Sequence, residues 1–226
     1  MTRAAWSAVA DAAEIGEGTA LLDLACGDGA FCAFAARRGA KVHRVDAQPD
    51  AIAQALDAEP EGDFRLAMME GLPWREGSFE VVTAFNAVQY ALDPDIALAE
   101  AERVLRRDGR IAVCKWGPPA GNEFFAFLAQ IGAGGVHGDR LPSTDPVEDA
   151  IRASRLAVIT TGELAAPIEI ADYAALVASL SRADIAPDPI AAPVASSAAA
   201  AEPYRRADGG YRFDNRLRYW VLRRGR

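Results

Sequence analysis

The sequence predicts an α/β fold: a seven-stranded, mostly parallel sheet with an antiparallel C-terminal strand and a helical insertion after the fifth strand. Three observations lead there. Short apolar runs alternate with helical patterns through the first half, as repeated βαβ units require. That rhythm breaks after Trp116 at Gly117-Pro118-Pro119-Ala120-Gly121, a cluster of turn formers. Two further extended stretches follow, the last of them closing the sequence as an antiparallel edge hairpin.

The elements read in order as follows. Ala20–Leu24 is strand 1, and Phe31–Arg38 the next helix, ended by Gly39. Lys41–Val45 is strand 2, and Pro49–Leu56 a helix with proline in its first turn. Asp63–Ala67 and Phe79–Phe85 are strands 3 and 4. Pro94–Leu105 is a helix whose apolar face holds Ile96, Leu98, Ala101, Val104 and Leu105. Asp108-Gly109 then turns into strand 5, Arg110–Lys115. Beyond the breaker cluster come a helix at Asn122–Ile131, a glycine-rich loop, a helix at Val147–Ser154, an extended run at Leu156–Thr161 and a helix at Asp172–Ser181. Residues 186–203 are either a short alanine helix entered at Pro193 or a connector, and Tyr211–Leu222 alternates as one strand. The whole is read as one domain, 1–226, in which 118–155 is an insertion covering the substrate.

Composition removes several classes. A net charge of −8 is a poor start for a nucleic-acid binder, which releases counterions through clustered Lys and Arg. The locally basic tail, Arg216, Arg218, Arg223, Arg224 and Arg226, reads as a solvated strand face with a frayed end. Three cysteines without metal-type spacing and two histidines leave no zinc site, so Cys26, Cys32 and Cys114 are expected as small buried hydrophobes. No apolar stretch approaches the roughly 18–20 residues of a membrane helix. The N-terminus shows no apolar core before a small-residue cleavage site, so the cytoplasm is the expected location.

The chemistry concentrates at Asp23-Leu24-Ala25-Cys26-Gly27-Asp28-Gly29. A strand that turns sharply into a helix, with a ligand against its backbone, needs residues without a Cβ; Gly27 and Gly29 supply them. A dinucleotide turn would want a small residue where Cys32 stands, and Asp28 would repel a phosphate. Strand 2 ends in Asp46, 17 residues after Gly29, where a carboxylate can accept from both ribose hydroxyls. The site therefore favours a nucleoside over a diphosphate.

Leu22–Gly29 resembles the first motif of the class I methyltransferases that use S-adenosylmethionine (SAM), a Rossmann-like family. Three further segments agree in order and spacing. Val45-Asp46 matches the acidic end of strand 2. Glu70-Gly71-Leu72-Pro73-Trp74 with Ser78-Phe79-Glu80-Val81-Val82 is similar to the family's E-x-L-P-F … S-F-D-V-V block, and Glu100–Arg110 to its E-x-x-R-V-L-K-P-G-G block. The closest subgroup is the methyltransferase-11-like one that includes quinone-biosynthesis C-methyltransferases. The resemblance covers roughly residues 20–116.

It implies a SAM-dependent methyltransferase acting on a small-molecule acceptor, with no metal. Asp23, Ala25 and Gly27 would line the methionine portion, Gly29 would complete the turn, and Asp46 with Ala47 would hold the ribose. Met68, Met69 and Glu70 would edge the adenine, and Asn86, with Gln89 nearby, would meet the amino end. Many relatives carry an Asp where Met68 stands, so here backbone groups are left to read the adenine amino group.

Methyl transfer needs a general base only if the acceptor must lose a proton. The candidates are His137 and Tyr90, then Asp139 and Glu123; His43 is expected to be structural. Trp6, Trp116, Phe124, Phe125, Phe127 and Tyr204 could wall an acceptor cavity, although the spacing of Phe124, Phe127, Leu128 and Ile131 fits core packing, which Phe125 escapes. The acceptor pocket is expected over residues 117–146 together with the helix around Trp6, and the assembly as monomer or homodimer. The alternatives are another SAM-assisted reaction on the same fold and a non-catalytic SAM-binding or protein-interaction module.

Overall fold

The computed structural model describes residues 3–58, 63–132, 145–180 and 197–225. They divide into two compact units: one from the described parts of 1–115, 144–163 and 218–226, the other from those of 116–143 and 164–217. No described helix is long and apolar enough to cross a membrane.

The first unit is built on a seven-stranded sheet. Its strands are β1 (Ala20–Leu24), β2 (Lys41–Asp46), β3 (Asp63–Leu66), β4 (Phe79–Phe85), β5 (Leu105–Trp116), β6 (Leu156–Ala165) and β9 (Arg216–Arg224). They lie in the order β3-β2-β1-β4-β5-β9-β6, mostly parallel with an antiparallel strand. The last strand thus slots inside, and β6 takes the edge.

One face of this sheet is a plain apolar core. Leu22, Leu24, Val82, Ala84, Ile111 and Val113 pack with Leu98, Ala101 and Val104 of α4 (Pro94–Val104) and Val147, Ala150 and Ile151 of α6 (Pro146–Ala153). Both helices begin as their sequences dictate, with an aspartate cap followed by proline. Asp93 accepts from the N–H groups of Asp95 and Ile96 at 3.0 and 3.2 Å, and Asp145 from those of Val147 and Glu148 at 3.0 and 3.4 Å.

The opposite face is different. Register places Phe64, Arg44, Asp23, Thr83 and Ala112 side by side across five strands. Arg44 and Asp23 are each 3% exposed, so two charged groups lie inside the fold, and the Arg44 guanidinium stacks 4.4 Å above the Phe64 ring. Helices α1 (Arg3–Ala12) and α2 (Ala30–Arg37) meet through aromatic side chains: Trp6 lies 6.2 and 5.8 Å from Phe31 and Phe34, and Phe31 lies 4.1 Å from Phe85. Trp6 is therefore engaged in helix packing. Helix α3 (Pro49–Ala58) follows β2.

Two arginines of the basic tail have specific partners, while Arg216 and Arg223 are exposed, as a solvated strand face requires, and Arg226 lies outside the described residues. Arg224 donates to the carbonyls of Glu102 and Leu105 at 2.7 and 2.8 Å, closing the C-terminal end of α4, while Arg218 pairs with Glu148 and stacks on Trp220. A cation is favourable there because the last carbonyls of a helix carry partial negative charge.

The second unit has its own core. Phe124, Phe127, Leu128 and Ile131 of the segment carrying α5 (Glu123–Gln130) pack with Leu176 of α7 (Tyr173–Leu180), Tyr211 and Phe213. The helical stripe anticipated for Phe124, Phe127, Leu128 and Ile131 is thus the buried face; Phe125 stands off it, half-buried, edge-on to Trp116 at 6.0 Å. The single strand expected over 211–222 is instead broken in two. Tyr211–Phe213 forms β8 and pairs antiparallel with β7 (Ile168–Ile170), a strand the sequence reading did not include. The break falls at Asn215, which is 3% exposed. Its side chain accepts from Phe124 N–H at 3.1 Å and donates to Phe213 O at 3.1 Å, while Asn122 accepts from Arg216 N–H at 2.8 Å.

In the first unit, Glu100 and Arg103 clamp the loop after β3. Arg103 binds both Glu100 oxygens at 2.7 and 2.8 Å and donates to the carbonyls of Trp74 and Leu72; Glu100 accepts from Leu72 N–H at 2.9 Å. Arg103→Met leaves those acceptors without their charged donor. It should cost roughly 1.5–3 kcal/mol in a urea unfolding titration, the usual range for hydrogen bonds to a charged group; an unchanged midpoint would remove the clamp from the fold's energetics.

Candidate cofactor site

The candidate site lies at the carboxyl ends of β1, β2 and β4, where open parallel sheets offer a crevice. Leaving β1, the backbone enters the left-handed region three times, at Ala25 (φ 51°), Gly27 (φ 53°) and Gly29 (φ 72°). The two glycines do so without penalty; Ala25 does so at a cost of about 1–3 kcal/mol that the surrounding fold must hold. A Cβ built on Gly27 or Gly29 meets no protein atom within 4 Å, so the turn opens outward onto free space.

Asp46 ties this turn to β2. One carboxylate oxygen accepts from Gly27 N–H at 3.0 Å and the other from Gln48 N–H at 2.9 Å, with the residue 7% exposed. Each oxygen keeps a second lone pair for a hydroxyl donor. Ala47 beside it is exposed. The Asp28 carboxylate accepts from Ala30 N–H at 3.1 Å, so the N-terminus of α2, where a diphosphate would dock, already carries the chain's own negative charge.

Asp23 faces the other way. Its carboxyl accepts from Thr83 Oγ1 at 2.5 Å and from Cys32 Sγ at 3.1 Å, inside the fold. Burial pushes its pKa up to about 6, against the opposing pull of those hydrogen bonds and of Arg44. Cys26, Cys32 and Cys114 are all free and buried; burial pushes Cys26 and Cys114 up to about 12 and Cys32 well above the usual thiol range. They are unreactive packing residues, as their spacing suggests.

Around the rim, Met68 is 45% exposed and Met69 packs against the core. Glu70 accepts from Leu92 N–H at 2.6 Å, joining the loop after β3 to the loop after β4. Asn86 follows β4 with φ 50°, a conformation asparagine tolerates better than most residues, and donates its N–H to Cys114 O at 2.7 Å. A 3-10 turn over Val88–Tyr90 then presents Tyr90, 55% exposed, and Gln89, whose Oε1 is buried without a hydrogen-bond partner among the described residues.

His137 and Asp139 lie outside the described residues. Glu123, in the second unit, is committed to Asp214 N–H at 2.5 Å. His43 meets Asp63 at 2.6 Å as a structural pair. Among the described residues no group of three or more His, Cys, Asp or Glu is placed to hold a metal. A cavity of about 520 Å³ opens at the opposite, amino-terminal end of the strands, between Glu14, Glu80, Arg106 and Arg110. Two of its arginines are met by glutamates (Arg110–Glu14 at 2.5 Å, Arg106–Glu80 at 3.2 Å), and it is remote from the glycine turn. Sequence reasoning missed Arg44 and Thr83, which support the site from behind; their signal was a charged and a hydroxyl residue at interior positions of central strands.

The Asp23 carboxyl makes stability fall with pH. Between 3.8 and about 6 the folded state keeps a proton that the unfolded chain has lost, so this contribution is complete below 3.8 and gone above about 6. Urea unfolding at pH 4 and pH 7 should show Asp23→Asn escaping a decline of about 2 kcal/mol that the wild type suffers. Parallel pH profiles for the two proteins would mean that Asp23 titrates normally.

Residues 22–113 match the family model described as a methyltransferase domain. The ubiquinone biosynthesis O-methyltransferase of Xanthomonas oryzae pv. oryzae (strain PXO99A) is 29% identical over 99 residues, which cover 42% of this chain and 41% of the relative. The chain thus spans about two fifths of the length of the curated relatives it matches. Among solved structures, one described as a methyltransferase from Bacillus halodurans C-125 gives a TM-score of 0.69 at 14% identity, covering 99% of this chain and 100% of the other. The [4+2]-cyclase SpnF gives 0.64 at 19% identity, covering 98% and 81%. At such identities the likeness is one of fold. The stretch 22–113, which holds every residue of the glycine turn and its rim, is the part of the chain that matches the methyltransferase-domain model.

Proposed function

We propose that the chain binds SAM at the carboxyl ends of β1, β2 and β4 and transfers its methyl group to a small-molecule acceptor in the cytoplasm. The observation that carries this reading is the turn itself: Gly27 and Gly29 in left-handed backbone, Gly27 N–H bound to Asp46, and Asp28 seated on the helix terminus. That donor and acceptor set suits a cationic nucleoside and rejects a diphosphate.

Asp46 holds the ribose hydroxyls beside Ala47, and the backbone at Ala25, Gly27 and Gly29 lies along the methionine portion. Asp23 acts on that portion through the strand end it anchors. Met68, Met69 and Glu70 border the adenine. Gln89 Oε1, buried and without a partner among the described residues, accepts from the amino end beside Asn86. SAM supplies a methyl group on a sulfonium leaving group; the protein supplies alignment and exclusion of water. Where the acceptor must shed a proton, Tyr90 takes it, with His137 the second candidate.

The acceptor class follows from the curated relative, whose name specifies O-methylation in ubiquinone biosynthesis, so phenols and hydroquinones head the panel to be tested. Nucleic acid is an unsuitable acceptor for a chain of net charge −8. The SpnF likeness favours a second reading, the same fold put to chemistry other than methyl transfer.

Calorimetry with SAM and with NAD, followed by methyl-transfer assays on a metabolite panel, separates these readings. SAM should bind and NAD should not; SAM binding without turnover on any acceptor supports the second reading, and failure to bind SAM defeats both. Asp46→Ala should weaken SAM by about 1–3 kcal/mol while the protein stays folded, the cost of losing a charged acceptor. Unchanged affinity would remove Asp46 from the ribose.

A further inference from the structure

The loop after β3 is fastened along α4 at two places. Leu72 and Trp74 are held by Glu100 and Arg103 within the helix. At the helix entry, one Glu70 oxygen accepts from the N–H of Leu92 at 2.6 Å and from that of Asp93, the cap of α4, at 3.4 Å. Negative charge is favoured at that end of a helix. Leu92 is 84% exposed, and its bond to Glu70 belongs to no helix or strand. The 3-10 turn over Val88–Tyr90 is thereby held at both ends. Before it, Asn86 N–H donates to Cys114 O of β5 at 2.7 Å; after it, Leu92 is held by Glu70. The five residues between are 87–91. Inside them Tyr90 N–H donates to Ala87 O at 2.9 Å and Ala91 N–H to Val88 O at 3.1 Å, so the turn is a small unit whose aim its two fastenings decide.

We propose that Glu70 is a positioning residue: by holding Leu92 it aims Gln89 at the amino end of bound SAM, and it acts on the cofactor through the turn. This role rests on the SAM-binding reading of the site. Gln89 is at the middle of the turn, and its Oε1 is buried with no hydrogen-bond partner among the described residues. An acceptor in that state destabilises the fold until a donor reaches it, and the ammonium of SAM is such a donor. Hydrogen bonds weaken steeply outside roughly 2.7–3.2 Å, so a small drift of the turn forfeits the contact. The second Glu70 oxygen is also buried without a partner among the described residues, so the carboxylate is committed to the backbone at 92 and 93. One carboxylate thus ties the rim expected to border the adenine to the group that meets the opposite end of the same ligand.

Amide hydrogen exchange on the ligand-free chain and calorimetry with SAM test this. The Leu92 amide should exchange about ten- to a hundredfold faster in Glu70→Ala than in the wild type, the factor a hydrogen bond to a charged group is worth. Glu70→Ala and Gln89→Ala should each weaken SAM about tenfold, and the double variant also about tenfold, because the second change removes a group already misplaced. A role confined to the fold would give independent losses that multiply to about a hundredfold. Glu70→Gln keeps an acceptor oxygen toward Leu92 and should bind SAM within about threefold of the wild type. If Glu70→Ala does not fold, Glu70→Asp, which keeps the charge but draws it back from Leu92, takes its place with the same expectations. Unchanged Leu92 exchange, multiplying losses, or a Glu70→Gln protein as weak as Glu70→Ala each overturn the proposal. A wild-type chain that fails to bind SAM defeats the cofactor reading and this role together, whereas multiplying losses in a chain that binds SAM defeat this role alone.

Discussion

The site depends on one hydrogen bond, from Gly27 N–H to the Asp46 carboxylate. Parallel strands end with their carbonyls and side chains fanning outward, and a chain leaving β1 could take many paths. The bond fastens that departing turn to the end of the neighbouring strand and fixes the direction in which α2 sets off. Left-handed backbone at Ala25, Gly27 and Gly29 is the conformational cost of so sharp a turn. The same carboxylate that shapes the loop keeps lone pairs for a ligand, so scaffold and recognition share one group.

Behind the turn, the sheet's buried polar row explains why so strained a loop can persist. Asp23, Thr83, Cys32 and Arg44 form a small charged and hydroxylic patch inside an otherwise apolar fold. Groups of this kind destabilise unless every partner is present, and for that reason they admit one arrangement of the strands. In this protein they lie directly beneath the segment whose geometry matters most. The far side of the sheet, with ordinary aliphatic packing against α4 and α6, needs no such specification.

Much of this was legible in the chain because the information is local. Strands 1 and 4 have the ends that alternation predicts, and Pro94 and Pro146, each behind an aspartate, mark helix starts that the structure keeps. The glycine turn and Asp46 could be read together from spacing alone. What escaped was lateral. The hydrogen bond from Thr83 to Asp23 joins residues 60 apart and leaves no local sign. β7 and β8 have three residues each, too few to show a period, and the pair exists because Asn215 diverts the chain between β8 and β9. Arg103 looks like part of a helix pattern, but its work is to hold carbonyls 29 and 31 residues upstream. For the acceptor base, His137 lies outside the described residues.

The position of Arg224 bears on how the chain reaches this state. Its guanidinium closes the end of α4 by gripping carbonyls 119 and 122 residues earlier. A helix in the middle of the sequence therefore receives its final restraint from a strand synthesised long afterwards. During translation, α4 and the loop clamped by its Glu100 and Arg103 must wait, with frayed carbonyls at one end, until β9 has left the ribosome and found its slot between β5 and β6. Contacts of such long sequence separation close slowly, because a large loop must be ordered before they form. Assembly of the sheet's second half is thus the late step of folding, and the nascent first half must be kept from aggregating until it arrives.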